Sequence, residues 1–326
     1  MSIFSDLKKK IEYKMKRKFK YDGPIKISLK REVEIFELLD KILTKTGKYK
    51  SDAIHLRDNS NYYRNRTTIQ QDKYKKVLEE ELCKIVEENP ELKYCVIDEG
   101  FSEKIPFGHY IVRCAFDKLA TQIAEDDYAL RMTEQFCGMP FPHYACRMER
   151  SEVVMKALEN SNIHQILFNY NENIGHYIAD NSSDVKCYLE ALKNKKLRTA
   201  KDFYGRTMGH CCAGRTDQDF KVASIFTFIA CLDQRDAVDK RGNNILMTMA
   251  KNNNYELANI LKNPEILTHN IINRVNADGE SFVSLVENMN NANKNTQGYT
   301  PLEIPKKFIL PEEESMRESI VDYFEK

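Results

Sequence analysis

The chain has 326 residues, 42% hydrophobic and 30% charged, with no Trp and a formal net charge of +1. That length supports a sizeable core and one to three domains. No stretch approaches 18 uninterrupted apolar residues, which argues against a membrane-spanning helix. The opening Met-Ser-Ile-Phe-Ser-Asp-Leu-Lys-Lys-Lys lacks the charged-then-apolar pattern of a signal peptide, so no classical secretory route is expected.

The near-zero total hides an asymmetry. Residues 1–31 hold eleven Lys or Arg against three acids, a net of +8, and the remaining chain carries −7. Ile3, Leu7, Ile11, Met15 and Phe19 recur every four residues among lysines, which predicts a basic amphipathic helix over residues 3–19. Such a helix suits weak contact with an anionic membrane surface or a partner. Packing of its apolar stripe on the following helices is the simpler reading. No aromatic-basic signature accompanies it, so no nucleic acid partner is expected.

Asp22-Gly23-Pro24 breaks this helix. A second helix is predicted over about 30–46, with Val33, Ile35, Phe36, Leu38, Leu39, Ile42 and Leu43 on its apolar face and Gly47 as its end. The polar residues 47–70 read as a long loop. A third helix is predicted over 72–88, stopped by Asn89-Pro90. The segment 51–86 also reads as a decayed repeat with its outer helix at 73–88.

From residue 105 the pattern changes. Four of the seven histidines stand in similar contexts: Phe107-Gly-His109-Tyr, Phe141-Pro-His143-Tyr, Ile174-Gly-His176-Tyr and Met208-Gly-His210-Cys. The steps between them are 34, 33 and 34 residues. A period in the thirties marks one supersecondary unit stacked repeatedly. Gly205, Gly242 and Gly279 lie 37 residues apart, so the step lengthens after His210. They sit in Asp202-Phe-Tyr-Gly205, Asp239-Lys-Arg-Gly242 and Asn276-Ala-Asp-Gly279. Gly accepts positive φ and Asp or Asn can hydrogen-bond its own backbone, so these are turns. A second helical run follows each entry, as in Ser151-Glu-Val153-Val154, Val185-Lys-Cys187-Tyr188 and Leu257-Ala-Asn-Ile260-Leu261.

These motifs resemble the ankyrin repeat, with its Asp-x-x-Gly turn, Thr-Pro-Leu-His inner helix and Val-Val-x-x-Leu outer helix. The match is degenerate; only Thr300-Pro301-Leu302 spells the Thr-Pro-Leu part in full. It covers about residues 105–310. The resemblance implies an all-α fold, an ankyrin-repeat solenoid of stacked helix–turn–helix units. On this reading residues 1–100 form a helical N-terminal capping region, 101–310 hold about five or six repeats, and 311–326 form a C-terminal capping helix. Only 19 residues separate Gly279 from Gly298, so an outer helix there is truncated or absent.

Glu312, Glu313 and Glu314 favour the start of that last helix electrostatically. The same acidic tail resembles the glutamate-rich end of type IV secretion substrates from intracellular bacteria. That second resemblance implies an effector acting in a host cytoplasm.

The nine cysteines are odd in number and lack a Cys-x-x-Cys spacing, which fits free thiols in a reducing, cytoplasmic setting. Cys211 and Cys212 beside His210 suggest a nucleophile and base. Consecutive helical residues diverge by about 100°, however, so packing is the better account. The ankyrin resemblance implies that His109, His143, His176 and His210 are structural and hydrogen-bond neighbouring backbone. Stacked copies lie roughly 10 Å apart, whereas zinc ligands lie about 2 Å from their ion. No metal or cofactor is therefore expected.

The resemblance implies a non-catalytic adaptor that holds a partner protein in a concave groove of turn tips and inner helices. It places Lys104, Met139, Tyr204, Arg206, Arg241, Asn243 and Glu280 in that groove. Tyr144, Tyr177 and Tyr204 are the candidate aromatic anchors. Two other readings stand beside it. One is an enzyme whose chemistry lies in residues 1–100, using His55, Asp58, Cys83 and Cys95. That segment has no phosphate-cradling Gly-x-x-x-x-Gly-Lys and no His-Glu-x-x-His motif. The other is a scaffold recruited to a membrane surface through residues 3–19.

Overall fold

The computed structural model describes residues 19–58, 64–98, 104–133, 138–262, 267–297 and 299–305. The expected basic helix, apart from Phe19, lies outside the described residues, as does the expected C-terminal helix. The chain divides into two compact units, Met1–Phe168 and Asn169–Lys326. No described helix is long and apolar enough to cross a membrane.

The first unit opens on strand β1 (Phe19–Tyr21), followed by helices α1 (Leu29–Asp58) and α2 (Arg64–Glu88). Strands β2 (Cys95–Asp98) and β3 (Lys104–Pro106) complete an antiparallel sheet of order β1-β2-β3. Phe19 pairs with Ile97, and Ile97 with Ile105. Phe19 is thus a strand residue, which corrects the helix expected to reach it. Its backbone pairs with β2, where Cys95 and Ile97 alternate inward.

Helix α1 also runs through Gly47, so residues 47–58 and 64–70 are helical where a loop was expected. Gly in a helix interior costs only about 1 kcal/mol relative to Ala, which tertiary contacts outweigh. Thr46, fully buried, donates to the Ile42 carbonyl at 3.0 Å and shares a 2.6 Å hydrogen bond with the Tyr110 hydroxyl. Ile35, Phe36, Leu39 and Ile42 of α1 are buried, as are Leu78, Leu82 and Val86 of α2. The Arg31 guanidinium grips both Glu91 carboxylate oxygens at 3.0 Å and ties the start of α1 to the turn after α2.

Helix pairs then repeat. Helices α3 (Phe107–Arg113) and α4 (Asp117–Ala124) are followed by the short α5 (Asp127–Arg131), then α6 (Phe141–Arg147) and α7 (Ser151–Leu158). Helix α3 packs on α6 and α4 on α7, so inner helices stack on inner and outer on outer.

The second unit continues the scheme. It contains α8 (Ile174–Asn181), α9 (Val185–Lys193), α10 (Lys195–Thr199), α11 (Met208–Ala213) and α12 (Gln218–Ala230). Then come α13 (Leu232–Arg235), α14 (Ile245–Lys251), α15 (Leu257–Leu261), α16 (His269–Ile272) and α17 (Phe282–Asn293). Helices α8, α11, α14 and α17 form an inner row, and α9, α12 and α15 an outer row. This is the expected solenoid of helix–turn–helix units. Ile245, Leu246, Met247, Leu257, Ile260 and Phe282 are fully buried between the rows, each worth roughly 1.5–3 kcal/mol of burial.

Close approach of the inner row depends on Gly209. A Cβ there would meet Ile245 Cδ1 at 2.6 Å and Gln234 Oε1 at 2.8 Å. After α17 the chain makes no second helix before residue 297, as the shortened final step implied. Instead the Asn290 side chain donates to the Leu302 carbonyl and accepts from its N–H, which pins residues 299–305.

Candidate functional site

The turns of the second unit are built alike. The backbone N–H groups of Asp202, Asp239 and Asn276 donate to the carbonyls of Arg206, Asn243 and Glu280 at 3.0, 3.0 and 2.9 Å. Their side chains accept from the N–H of those same three residues at 2.8, 2.8 and 2.9 Å. Gly205, Gly242 and Gly279 take φ of 76°, 83° and 77°, a region that L side chains resist. Two residues on, Thr207, Asn244 and Ser281 are the N-caps of α11, α14 and α17.

The histidines join one repeat to the next. His176 and His210 occupy the third position of α8 and α11, where each ring Nδ1 faces the N-cap N–H at 3.4 and 3.2 Å. Their Nε2 atoms lie 2.9 Å from the Arg206 carbonyl and 3.0 Å from that of Asn243. A nitrogen facing a carbonyl must carry the proton, which leaves Nδ1 as the acceptor. In the first unit His109 Nε2 lies 2.9 Å from the Met139 carbonyl, and His143 packs 5.7 Å from the Phe168 ring. Burial holds the His210 imidazole down at about 4 and lowers that of His176.

These rings are occupied as struts, so the His210–Cys211–Cys212 run does not form a nucleophile and base. Burial pushes the Cys212 thiol up to about 12 and raises that of Cys211, the opposite of what a reactive thiolate needs. Burial likewise raises Cys83 and Cys95. The side chains of His55 and Asp58 lie outside the described residues. Among the described residues no cluster of three His, Cys, Asp or Glu side chains is placed to hold a metal ion.

What the turns present outward is different in kind. Their tips are linked by backbone hydrogen bonds: Phe203 N–H to the Tyr170 carbonyl at 2.6 Å, Lys240 to Tyr204 at 2.9 Å, and Ala277 to Arg241 at 2.7 Å. On this ladder Tyr170, Phe203 and Tyr204 are 59%, 52% and 47% exposed. Their rings form a cluster, with Tyr204 5.6 Å from Tyr170 and 5.4 Å from Phe203 between centroids. Lys240 Nζ sits 4.2 Å over Phe203, and the Arg206 guanidinium 5.5 Å over Tyr204.

The residues expected to line a groove divide into presented and supporting groups. Tyr204 lies in the aromatic cluster, Arg241 is exposed on the next tip, and Lys104 is exposed on β3. Glu280 is half-buried and paired with Lys251 at 2.7 Å. Met139 is buried and offers its carbonyl to His109. Asn243 is also buried, where it donates to Asp239 and accepts from Asn276. Arg206 reaches Asp202, Asp180 and Glu172 at 2.7, 3.3 and 3.5 Å. Tyr177 is buried and Tyr144 half-buried, 4.9 Å from the His109 ring.

Tyr170, Phe203 and Lys240 were not singled out from the sequence. The signal for Tyr170 was its place 34 residues before Tyr204. It was masked because Asn171, at φ 61°, stands where later turns have Gly.

No family model matches the sequence and no curated protein matches it. Among solved structures the chain is similar to an ankyrin repeat domain from Acinetobacter baumannii, at 17% identity and TM-score 0.45, over 57% of this chain and 92% of that one. It is also similar to the ankyrin repeat domain of Bcl-3, a member of the IkappaB protein family, at 12% identity and TM-score 0.43, over 56% and 77%. The turns, caps, histidine struts and paired helix rows described above give the second unit the form of stacked ankyrin-type repeats, and the first unit shares the paired rows and the His109 strut.

Proposed function

We propose that the chain is a protein-binding module without catalytic chemistry of its own. It holds a partner protein across the turn tips and the inner helices beside them. The observation that carries this reading is the exposed Tyr170–Phe203–Tyr204 cluster on a ladder of hydrogen-bonded tips. Large, rigid aromatic side chains on a fixed scaffold lose little conformational entropy when covered, and such anchors dominate protein interfaces. Arg241 and Glu280 belong to the accessible part of this surface, and Lys104 is a separate exposed candidate on β3 of the first unit. Arg206 and Asn243 act beneath it by holding the turns, and Met139 supports the first unit through His109.

In the same reading the module works in a cytoplasm with its cysteines reduced; as a bacterial effector, that cytoplasm is a host's. The test is affinity capture with the intact chain beside Tyr204→Ala/Arg241→Glu, both first shown to melt alike. Loss of a partner with the variant supports the surface. Equal capture by both would overturn it.

A further inference from the structure

The charge left uncompensated around the aromatic cluster identifies the kind of partner. Carboxylates are present at these tips, but the fold consumes them. The Asp202 side chain is fully buried on Arg206 and on the turn backbone. Asp180 and Glu172 also face Arg206. Asp239 accepts from the N–H groups of Arg241 and Asn243 and from the Asn243 amide. The cations are treated differently. Lys201 donates to the Val238 carbonyl at 2.8 Å, Lys240 lies on the Phe203 ring, and Arg241 is exposed on the adjacent tip. None of the three is ion-paired to a described carboxylate. On the third tip Asp278 is exposed but pairs with Lys251 at 3.5 Å. Around the aromatic cluster the outward surface is therefore aromatic and cationic.

Resting on the reading that these tips bind a partner protein, we infer that its bound part is an extended acidic segment carrying an aromatic side chain. The aromatic residue lies against Tyr170, Phe203 and Tyr204. Its carboxylates reach Lys201, Lys240 and Arg241. Neighbouring repeats are roughly 8–10 Å apart, which an extended chain spans in about three residues. A carboxylate about three positions from the aromatic anchor thus meets the next tip. Single-stranded nucleic acid shares the preference for cations and aromatic rings. It fits less well here, because a base stacks face to face and Lys240 and Arg206 already cover ring faces, whereas an aromatic side chain can pack edge-on.

The test is fluorescence anisotropy with the full chain and four labelled probes. These are a short Tyr-containing peptide rich in Glu, the same peptide with Gln for Glu, the same with Lys for Glu, and an oligothymidine strand. The Glu peptide is expected to bind, about tenfold more tightly than the Gln peptide and more weakly in high salt, with the Lys peptide weakest. Lys240→Gln/Arg241→Gln, at exposed positions, should remove most of that preference while the melting curve stays unchanged. Equal binding of Glu and Gln peptides, both lost with Phe203→Ala/Tyr204→Ala, overturns the acidic partner but leaves the tips as a binding surface. Binding of the Glu peptide that ignores Phe203→Ala/Tyr204→Ala overturns both readings. Failure of the intact chain to bind the Glu peptide, or tighter binding of oligothymidine, overturns the inference.

Discussion

His210 Nε2 lies 3.0 Å from the carbonyl oxygen of Asn243, 33 residues further along the chain. The same oxygen accepts the Asp239 N–H at 3.0 Å, so one carbonyl closes its own turn and receives the preceding repeat. The imidazole thus couples α11 to the turn before α14. A second proton on the ring would have to go on Nδ1, which would then lose its acceptor role at the Thr207 N–H.

That coupling predicts acid sensitivity. Burial holds His210 at about 4 in the fold, below the ordinary histidine value of 6.5. Between those values the unfolded chain binds a proton that the folded chain refuses, so stability rises with pH across the window. The contribution is complete above about pH 6.5 and is lost as pH falls toward 4, amounting to roughly 3 kcal/mol. His176 adds in the same direction. Urea denaturation of the intact chain and His210→Gln at a series of pH values measures it. The variant should be less stable near neutrality and show a shallower loss on acidification. An identical pH slope would remove His210 from the account.

Much of this framework was legible because it is made by residue types with narrow roles. Gly205, Gly242 and Gly279 mark left-handed turns, and the His spacing marks the struts, because few residues substitute in either role. The rest was hidden where a residue with several uses took a special position. Asn171 does a glycine's work at φ 61°, and that concealed the tip bearing Tyr170. Arg206 sits at a turn tip by sequence, yet three carboxylates hold it in place. Strands β1 to β3 escaped notice because they are three or four residues long and depend on long-range pairing. Gly47 read as a stop signal because local propensity carries no knowledge of the contact between Thr46 and Tyr110.

Helix α1 gives a direct check on that last point. Gly47 is exposed and a Cβ added there meets nothing within 4 Å. Gly47→Ala should therefore stabilise the chain by about 1 kcal/mol, the helix-interior difference between the two residues. Thermal melting reads the effect. A neutral or destabilising result would mean that α1 does not continue through this position.

The glycine at the tip should behave in the opposite way. Gly205 has φ 76°, and a Cβ would approach the Lys240 nitrogen to 2.9 Å, where the ladder bond to Tyr204 is made. Gly205→Ala combines a left-handed penalty of about 1–2 kcal/mol with that backbone contact. Denaturation should show a loss of at least this size. Exchange of the Lys240 amide with deuterium should quicken more than that of Asp239. Wild-type stability in the variant would show that the turn relaxes freely.

Arg206 tests whether the tip chemistry is held from beneath. Its guanidinium is 30% exposed, while the Asp202 carboxylate it grips is fully buried. Removing one partner from such a pair leaves a buried charge unpaired, and for this half-exposed cation we expect Arg206→Met to cost about 2–3 kcal/mol. The Glu172 carboxyl is already raised by burial and by Asp180, and Arg206 opposes that shift. Without Arg206 it rises further. A carboxyl whose folded value is raised takes up its proton more readily in the fold than in the unfolded chain. The variant's deficit should therefore shrink as pH is lowered toward the ordinary carboxylate range, and Glu172→Gln should rescue part of it near neutrality. Loss of peptide binding in Arg206→Met that Glu172→Gln restores together with stability would mark Arg206 as a support of the surface. Binding lost without any change in stability would place its guanidinium in contact with the partner.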